Sequence, residues 1–471
     1  PFKSEMIMNK IIIALIFLLA GLPLLSPAQN NKPGAKAPMA YQAFFKNDMR
    51  KTEGIFPVYR DKQKCYVEIP ASALGRDLLV SGSVTQGEYY GAVSSVTSIL
   101  AFELGEKNEL VVRQQICADR AKGELAKAVE AAGMQPVKFS YPIAAYGPDK
   151  NSYIIDITAD VNTSGKLFSF PNVSQVNKPA ADRSGLDSVY VIRDGVKFIS
   201  FRAQTDVIPG FMFIPPRDKH TSVLVEWTLQ LLPERQVAAR ESDPRIGYAT
   251  ISFNDYDRNP NGVARVRQIQ RWNLEVRPED TDRYNRGELV EPANPIRVYL
   301  DRTLSTAAER RAVSRAVAEW NACFEAAGFK NALQIQEGEP EAAMAYHQLV
   351  FSYVMGREVF SQVSDPRTGE ILCGRIALSN QELNDNLDLI AMSVGGYNPA
   401  FLTDSMPAVR EEYIRYRMSN QTGLMLGLLP NLAASSAFTT EQLRDAEWTR
   451  KNGISASVTD GCATNFAAQP G

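Results

Sequence analysis

Only two histidines, His220 and His347, occur in 471 residues, so a metal site made of three imidazoles cannot be assembled from this chain. Cysteine is scarce as well. Cys65, Cys117, Cys323, Cys373 and Cys462 are widely spaced and odd in number, and no C-x-x-C pair offers a zinc ribbon or a thioredoxin-type site. A chain of this size does not need disulfides to fold, and mostly buried free thiols are expected. The sequence has no G-x-S-x-G, no P-loop and no G-x-G-x-x-G, which removes the support for serine hydrolase and nucleotide-binding readings. Charge of one sign is missing too. Lys+Arg number 51 against 53 Asp+Glu, for a formal net charge of -2, and Arg258, Arg265, Arg267 and Arg271 alternate with Asp255, Asp257 and Glu275. Without a basic patch, nucleic acid is not an expected partner.

What is present is an ordinary globular composition, 45% hydrophobic and 22% charged, in a chain long enough for roughly two or three domains with substantial cores. The beginning reads as an export signal: Lys10 is followed by an apolar run over 11–25 and by the small-residue cleavage site Ser26-Pro27-Ala28. The run falls short of the roughly 20 apolar residues of a membrane span and is interrupted by Gly21 and Pro23. We therefore expect a signal peptide over 1–28, a true start at Met6 or Met8, and a mature chain beginning at Gln29 with no membrane span. No cysteine at the cleavage point offers a lipid anchor. The expected location is exported: periplasm, cell envelope or extracellular space.

Residues 29–40 are polar, with Pro33, Gly34 and Pro38, and read as a flexible lead-in. From 41 to about 290, short alternating runs separated by turn residues predict antiparallel β structure built from hairpins. Among these runs are 65–69, 78–80, 99–104, 110–112, 153–157, 222–232 and 248–253, and Asp194-Gly195 marks a hairpin turn between 189–193 and 196–199. The pattern changes after Glu291-Pro292. A strand is predicted over 296–300, then a helix capped by Ser305 and ending at Gly328, with Val313, Ala316, Val317, Trp320, Phe324 and Ala327 on one apolar face. Strands over 333–336, 349–354 and 371–379 follow, the last entered through Asp365-Pro366-Arg367-Thr368-Gly369. A long helix over 408–428 closes the series. The predicted class is α+β, a β-rich antiparallel N-terminal region (41–290) followed by an α+β domain (291–471).

Several polar groups invite a site reading and each has a plainer one. Glu411 and Glu412 lie on the late helix, where Glu411 stands at i,i+4 to Arg415 and is expected to form a solvated ion pair. Asp255, Asp257 and Asn259 with Gly262 imitate a calcium loop, but the glycine is displaced and Val266 stands where the final glutamate belongs, so a polar turn is expected.

Several stretches resemble exported bacterial zinc-dependent metalloproteases of metzincin type whose N-terminal parts are domains of unknown function. They include Gly54-Ile55-Phe56-Pro57-Val58-Tyr59, Ser252-Phe253-Asn254-Asp255-Tyr256 and Gln270-Arg271-Trp272-Asn273-Leu274-Glu275 in the first half. In the second half, Pro295 to Asp301, Glu319-Trp320-Asn321, Asp365 to Leu372 and Glu441-Gln442-Leu443-Arg444-Asp445 carry it. Set beside the metzincin pattern H-E-x-x-H-x-x-G-x-x-H, the late helix gives Asn420-Gln421-x-x-Leu424-x-x-Gly427-x-x-Pro430. The resemblance thus places the metal ligands at Asn420, Leu424 and Pro430, the general base at Gln421 and the turn glycine at Gly427. It places the methionine turn at 457–461, with Thr459 where the methionine stands.

An amide, an alkyl group and a proline ring do not replace imidazoles, and a glutamine cannot take a proton from bound water. The resemblance therefore implies a zinc-dependent family and a degenerate, C-terminally shortened metzincin-like domain in this chain, with no cofactor expected. Proteases of this shape can pair a strand above the cleft with an extended peptide through main-chain hydrogen bonds, which require no metal. The 371–379 run, with Ile371, Leu372 and Ile376, is the candidate strand. Peptide or protein binding is the leading expectation, beside an active metallopeptidase with substitute ligands and a nonfunctional fragment.

Overall fold

All the alternating runs of the first half but 248–253 pair into one antiparallel sheet in the computed structural model, which describes residues 37–468 except 88–95, 117, 134, 163–165, 169–179, 181, 209, 211–214, 260, 355–357, 397–405, 432, 434–435, 462–463 and 466. The proposed signal peptide over 1–28 lies outside the described residues. Of the lead-in, 37–40 is described, and Met39 N already donates to Ala144 O at 2.9 Å.

The first strands are β1 (Arg50–Thr52), β2 (Val58–Arg60), β3 (Cys65–Pro70), β4 (Leu78–Gly87), β5 (Val96–Leu104), β6 (Glu109–Gln114), β7 (Asp119–Arg120), β8 (Val137–Tyr146), β9 (Ser152–Asp156), β10 (Gly185–Ile192), β11 (Gly195–Ile208) and β12 (Arg217–Leu231). All but β7 form an 11-stranded sheet in the order β1-β2-β3-β9-β8-β6-β5-β4-β12-β11-β10. The sheet curls around a single apolar core, to which early strands give Val58 and Val67 and late ones Phe198, Trp227 and Leu229. Its edge strands are drawn together, and Arg60 Nη1 reaches Asp187 O at 3.2 Å. The β10–β11 hairpin turns one residue earlier than the sequence indicates: Ile192 pairs with Gly195, and the positive φ of 52° belongs to Asp194.

From Val225 to Leu231, β12 is buried on both faces, and its period-2 alternation explains how. Val225, Trp227, Leu229 and Leu231 point into the curled sheet. Glu226, Thr228 and Gln230 point the other way and are buried against the C-terminal half. There Ala343 N donates to Glu226 Oε1 at 2.5 Å and Tyr346 N to Gln230 Oε1 at 2.9 Å, while Ser81 Oγ donates to Met344 O at 3.1 Å. Buried polar groups need such partners, and here the partners dock one region onto the other. Leu79, Ile99 and Leu232 complete the contact against Met344, Val363, Leu372 and Cys373.

A three-stranded sheet, ordered β14-β13-β7, is made by β13 (Thr250–Asp255), β14 (Ala264–Ile269) and β7. Residues 255–258 turn as a polar stretch, with Asp255 Oδ1 accepting from Asp257 N at 2.9 Å and Arg258 N at 3.2 Å, and Asn259 Oδ1 accepts from Asn261 N at 3.1 Å; Pro260 lies outside the described residues.

The second half contains β15 (Ile296–Leu300), α1 (Ala307–Ala326), β16 (Leu333–Ile335), β17 (Gln348–Val354), β18 (Val359–Ser364), β19 (Ile371–Ser379), α2 (Asn380–Val394) and α3 (Met406–Met425). Its five strands are ordered β16-β15-β17-β19-β18, parallel throughout except for β18, which runs antiparallel at one edge. Val313, Ala316, Val317 and Trp320 of α1 are buried as the apolar face predicts. The cap is Thr306 rather than Ser305, because only Thr306 stands three residues before a glutamate that can return the bond: Glu309 N donates to Thr306 Oγ1 and Thr306 N to Glu309 Oε2. β18 and α2 are additions to the elements read from the sequence. The architecture is α+β, a large antiparallel region followed by a mixed sheet with helices. No helix among the described residues is long and apolar enough to cross a membrane. Cys65 and Cys373 are buried free thiols and Cys323 is an exposed one; Cys117 and Cys462 lie outside the described residues.

Candidate functional site

Helix α3 is held between α1 and the mixed sheet by small and aromatic residues. A Cβ on Gly423 would come within 2.7 Å of both Trp320 and Thr459, so only glycine lets these three segments meet. Trp320 Nε1 donates to Ser419 O at 2.9 Å, and Ser419 Oγ donates to Glu319 Oε2 at 2.7 Å. The helix stops at Met425, three residues before the predicted end. Leu428 N bonds Gly423 O at 3.1 Å and Gly427 N bonds Leu424 O at 3.0 Å, with Gly427 at φ +96°. This is the Schellman stop, and it requires a residue free to take positive φ.

Asn420 and Gln421 are buried on α3, Leu424 one turn later is half-buried, and Pro430 is exposed after the turn. The methionine-turn segment lies beside them. Asn420 Nδ2 donates to Val458 O at 2.9 Å, Thr459 Oγ1 to Leu429 O at 3.1 Å, Tyr416 OH to Asp460 O at 3.2 Å, and Asn431 N to Asp460 Oδ1 at 2.5 Å. The helix, the loop after it and the 457–461 segment are therefore joined by hydrogen bonds between protein groups.

The donor set does not suit zinc. Zinc takes nitrogen, sulfur or carboxylate donors from three protein ligands in a catalytic site. Leu424 and Pro430 have none, and the Asn420 amide is engaged with Val458 O. Other candidates are occupied or remote. Glu411 pairs with Arg311 of α1 at 2.7 Å rather than with Arg415 as the i,i+4 spacing suggested, and that guanidinium holds its carboxyl below the ordinary range. Arg415 bonds Glu319 at 2.7 Å and also Glu412, so a tertiary contact overrides the helical pair. His220 is exposed and bonds Thr205 at 3.0 Å. His347 is buried, with Nε2 donating to Asn294 O at 2.7 Å, and burial pulls its pKa down to about 4. Among the described residues no three His, Cys, Asp or Glu side chains converge as a metal cluster would.

The strand assignment over the cleft needs correction. Ile371, Leu372 and Ile376 are buried, and β19 is paired on both sides, by β17 and β18, so its main chain has no free edge for a peptide. The sheet edge beside α3 is β18: Arg417 of the helix pairs with Glu358 at 2.7 Å just before it. Its alternating Val359-Phe360-Ser361-Gln362-Val363 was the available signal in the sequence.

Sequence reasoning also missed the part that the first half plays here. Trp272 Nε1 donates to Met425 O at 2.9 Å, and Ile371 N to Arg271 O at 2.8 Å. Gln362 of β18 donates through Nε2 to Gln270 Oε1 at 2.8 Å. The resembling stretches 270–275 and 365–372, far apart in sequence, thus meet at the end of α3.

Residues 403–471, which contain Asn420, Gln421, Leu424, Gly427, Pro430 and Thr459, match a family model described as Met-zincin. Residues 38–87 and 93–277 match two models each described as a domain of unknown function (DUF5118 and DUF5117). No curated protein and no solved structure matches the chain. The chain is a metzincin-like protein with N-terminal domains of unknown function. Zinc belongs to that family, and Asn420, Leu424 and Pro430, where the resemblance places its ligands, do not fit it.

Proposed function

We propose that this metzincin-like chain binds an extended peptide or protein segment without hydrolysing it. The observation that carries this reading is the pairing of a kept frame with replaced chemistry. The Gly427 stop, the Trp320 packing and the 457–461 segment are in place, whereas Asn420, Gln421, Leu424 and Pro430 supply neither the ligands nor the base. The binding edge is β18, which among the described residues has no strand on its outer side and whose rim can accept an added strand. Exposed Phe360, at 41%, adds apolar surface at that rim. On this reading the chain is a pseudoenzyme divided near residue 290, and the 1–28 signal sends it out of the cytoplasm.

The test is titration of the full chain with a library of unstructured peptides, with and without a chelator. Amide exchange over 359–364 reports where they bind. Slowed exchange there, unaffected by chelator and without cleavage products, supports the reading. Peptide cleavage that the chelator abolishes would establish the active-metallopeptidase alternative, and absence of binding to any peptide or unfolded protein would leave a nonfunctional fragment.

A further inference from the structure

We propose that the N-terminal region has a defined task at this site: through the 247–249 segment and Gln270 it clamps the 427–431 loop, which carries the third ligand position. The loop is joined to the segment that leads into the small sheet of the N-terminal region by one antiparallel bridge. Ala249 N donates to Gly427 O at 2.7 Å and Leu429 N to Gly247 O at 2.9 Å, with Tyr248 and Leu428 forming the antiparallel bridge between them. On its other side the same segment accepts from Gln270 N through Ala249 O at 2.8 Å, continuing the ladder in which Thr250 pairs with Ile269.

The clamp also explains the turn glycine twice over. Gly427 takes positive φ to end α3, and a Cβ there would lie 2.2 Å from Gln270 O, so the main chain of the N-terminal region fills the space above it. Side-chain burial holds this loop at Leu428, which packs against the C-terminal core, and little beyond it. Leu429 is 45% exposed and Pro430 is exposed, which leaves main-chain bonds to the 247–249 segment on one side and to Thr459 and Asp460 on the other. The region matched as a domain of unknown function over 93–277 contains both clamping pieces. Its job here is to order that loop. This inference does not depend on peptide binding.

Mass-spectrometric amide exchange on the full chain tests it. Ala249→Pro removes the N–H that bonds Gly427 O, and exchange over 426–431 is expected to rise by up to about tenfold, the factor that one hydrogen bond controls. Helix α1 should keep its wild-type exchange, and Ala249→Ser, which keeps the N–H, should leave the loop unchanged. Unaltered exchange over 426–431 in Ala249→Pro, or equal acceleration in Ala249→Ser, overturns the proposal. Should Ala249→Pro fail to fold, native-state exchange of the unmodified chain decides: Ala249 and Leu429 amides opening together at every denaturant concentration support the clamp, and Leu429 opening while Ala249 stays protected refutes it.

Discussion

The side-chain amide of Asn420 donates to the main-chain oxygen of Val458 at 2.9 Å, so the first ligand position of the helix is bonded directly to the segment aligned with the methionine turn. With Thr459 on Leu429 O and Asp460 on Asn431 N, the contact joins helix α3, the loop after it and the 457–461 segment. Each bond contributes on the order of 1 kcal/mol net. Together they tie the helix, the loop after it and the 457–461 segment to one another.

A frame that persists should accept its ligands back. Helical spacing keeps residues 420 and 424 on one face, and the resemblance places the third ligand at residue 430, beyond the positive-φ turn at Gly427. The combined variant Asn420→His, Gln421→Glu, Leu424→His and Pro430→His is expected to bind about one zinc per chain. Elemental analysis after gel filtration reads it. A folded variant that takes up no zinc would show that the three positions no longer converge.

Gly427→Ala forces positive φ on an alanine and sets its Cβ against Gln270 O. Strain alone costs roughly 1–3 kcal/mol, and the overlap adds to it. Gly423→Ala meets Trp320 and Thr459 at the less severe 2.7 Å and should cost less. Denaturant midpoints at unchanged slope give the order, and equal stability of Gly427→Ala and wild type would be inconsistent with the clamped turn.

Glu370 gives the chain a specific pH signature. Burial raises its carboxyl from 4.5 to about 7, with Tyr346 OH bonded to it at 2.9 Å and Asp365, Arg271 and Glu275 nearby. A raised carboxyl stabilises the fold most when protonated, and that contribution is lost as pH rises from about 4.5 through about 7. His347 acts in the opposite sense: its pKa falls from 6.5 to about 4, so its contribution is lost as pH drops through that window. The two slopes oppose each other in the wild type. Glu370→Gln removes one of them, and the variant's stability relative to wild type should climb by about 1–3 kcal/mol between pH 4.5 and 7. Chemical denaturation across that range checks it; a difference that does not change with pH would contradict it.

Much of this architecture was legible where local chemistry decides it. The alternating runs gave the hairpins, the apolar face of 313–327 gave α1, and Gly427 gave the helix stop, because each follows from spacing or from a single φ. What stayed hidden was set by distant partners. Glu411 binds Arg311 instead of Arg415 because α1 packs beside α3, and the buried Glu226 and Gln230 of β12 make sense only with the 343–346 backbone against them. The neighbours of a strand are likewise a property of the sheet: nothing in Ile371 to Ser379 says that β18 lies outside it. At the site, the residue replacements were readable one by one, while the hydrogen bonds that tie 420 to 458 and 249 to 427 join positions that no local pattern connects.

The metal content of the purified full chain tests the central claim most directly. After incubation with zinc and gel filtration, the account predicts far less than one zinc per chain and a melting curve that a chelator does not move. About one tightly held zinc per chain, with a melting temperature that falls when the metal is stripped, would contradict it.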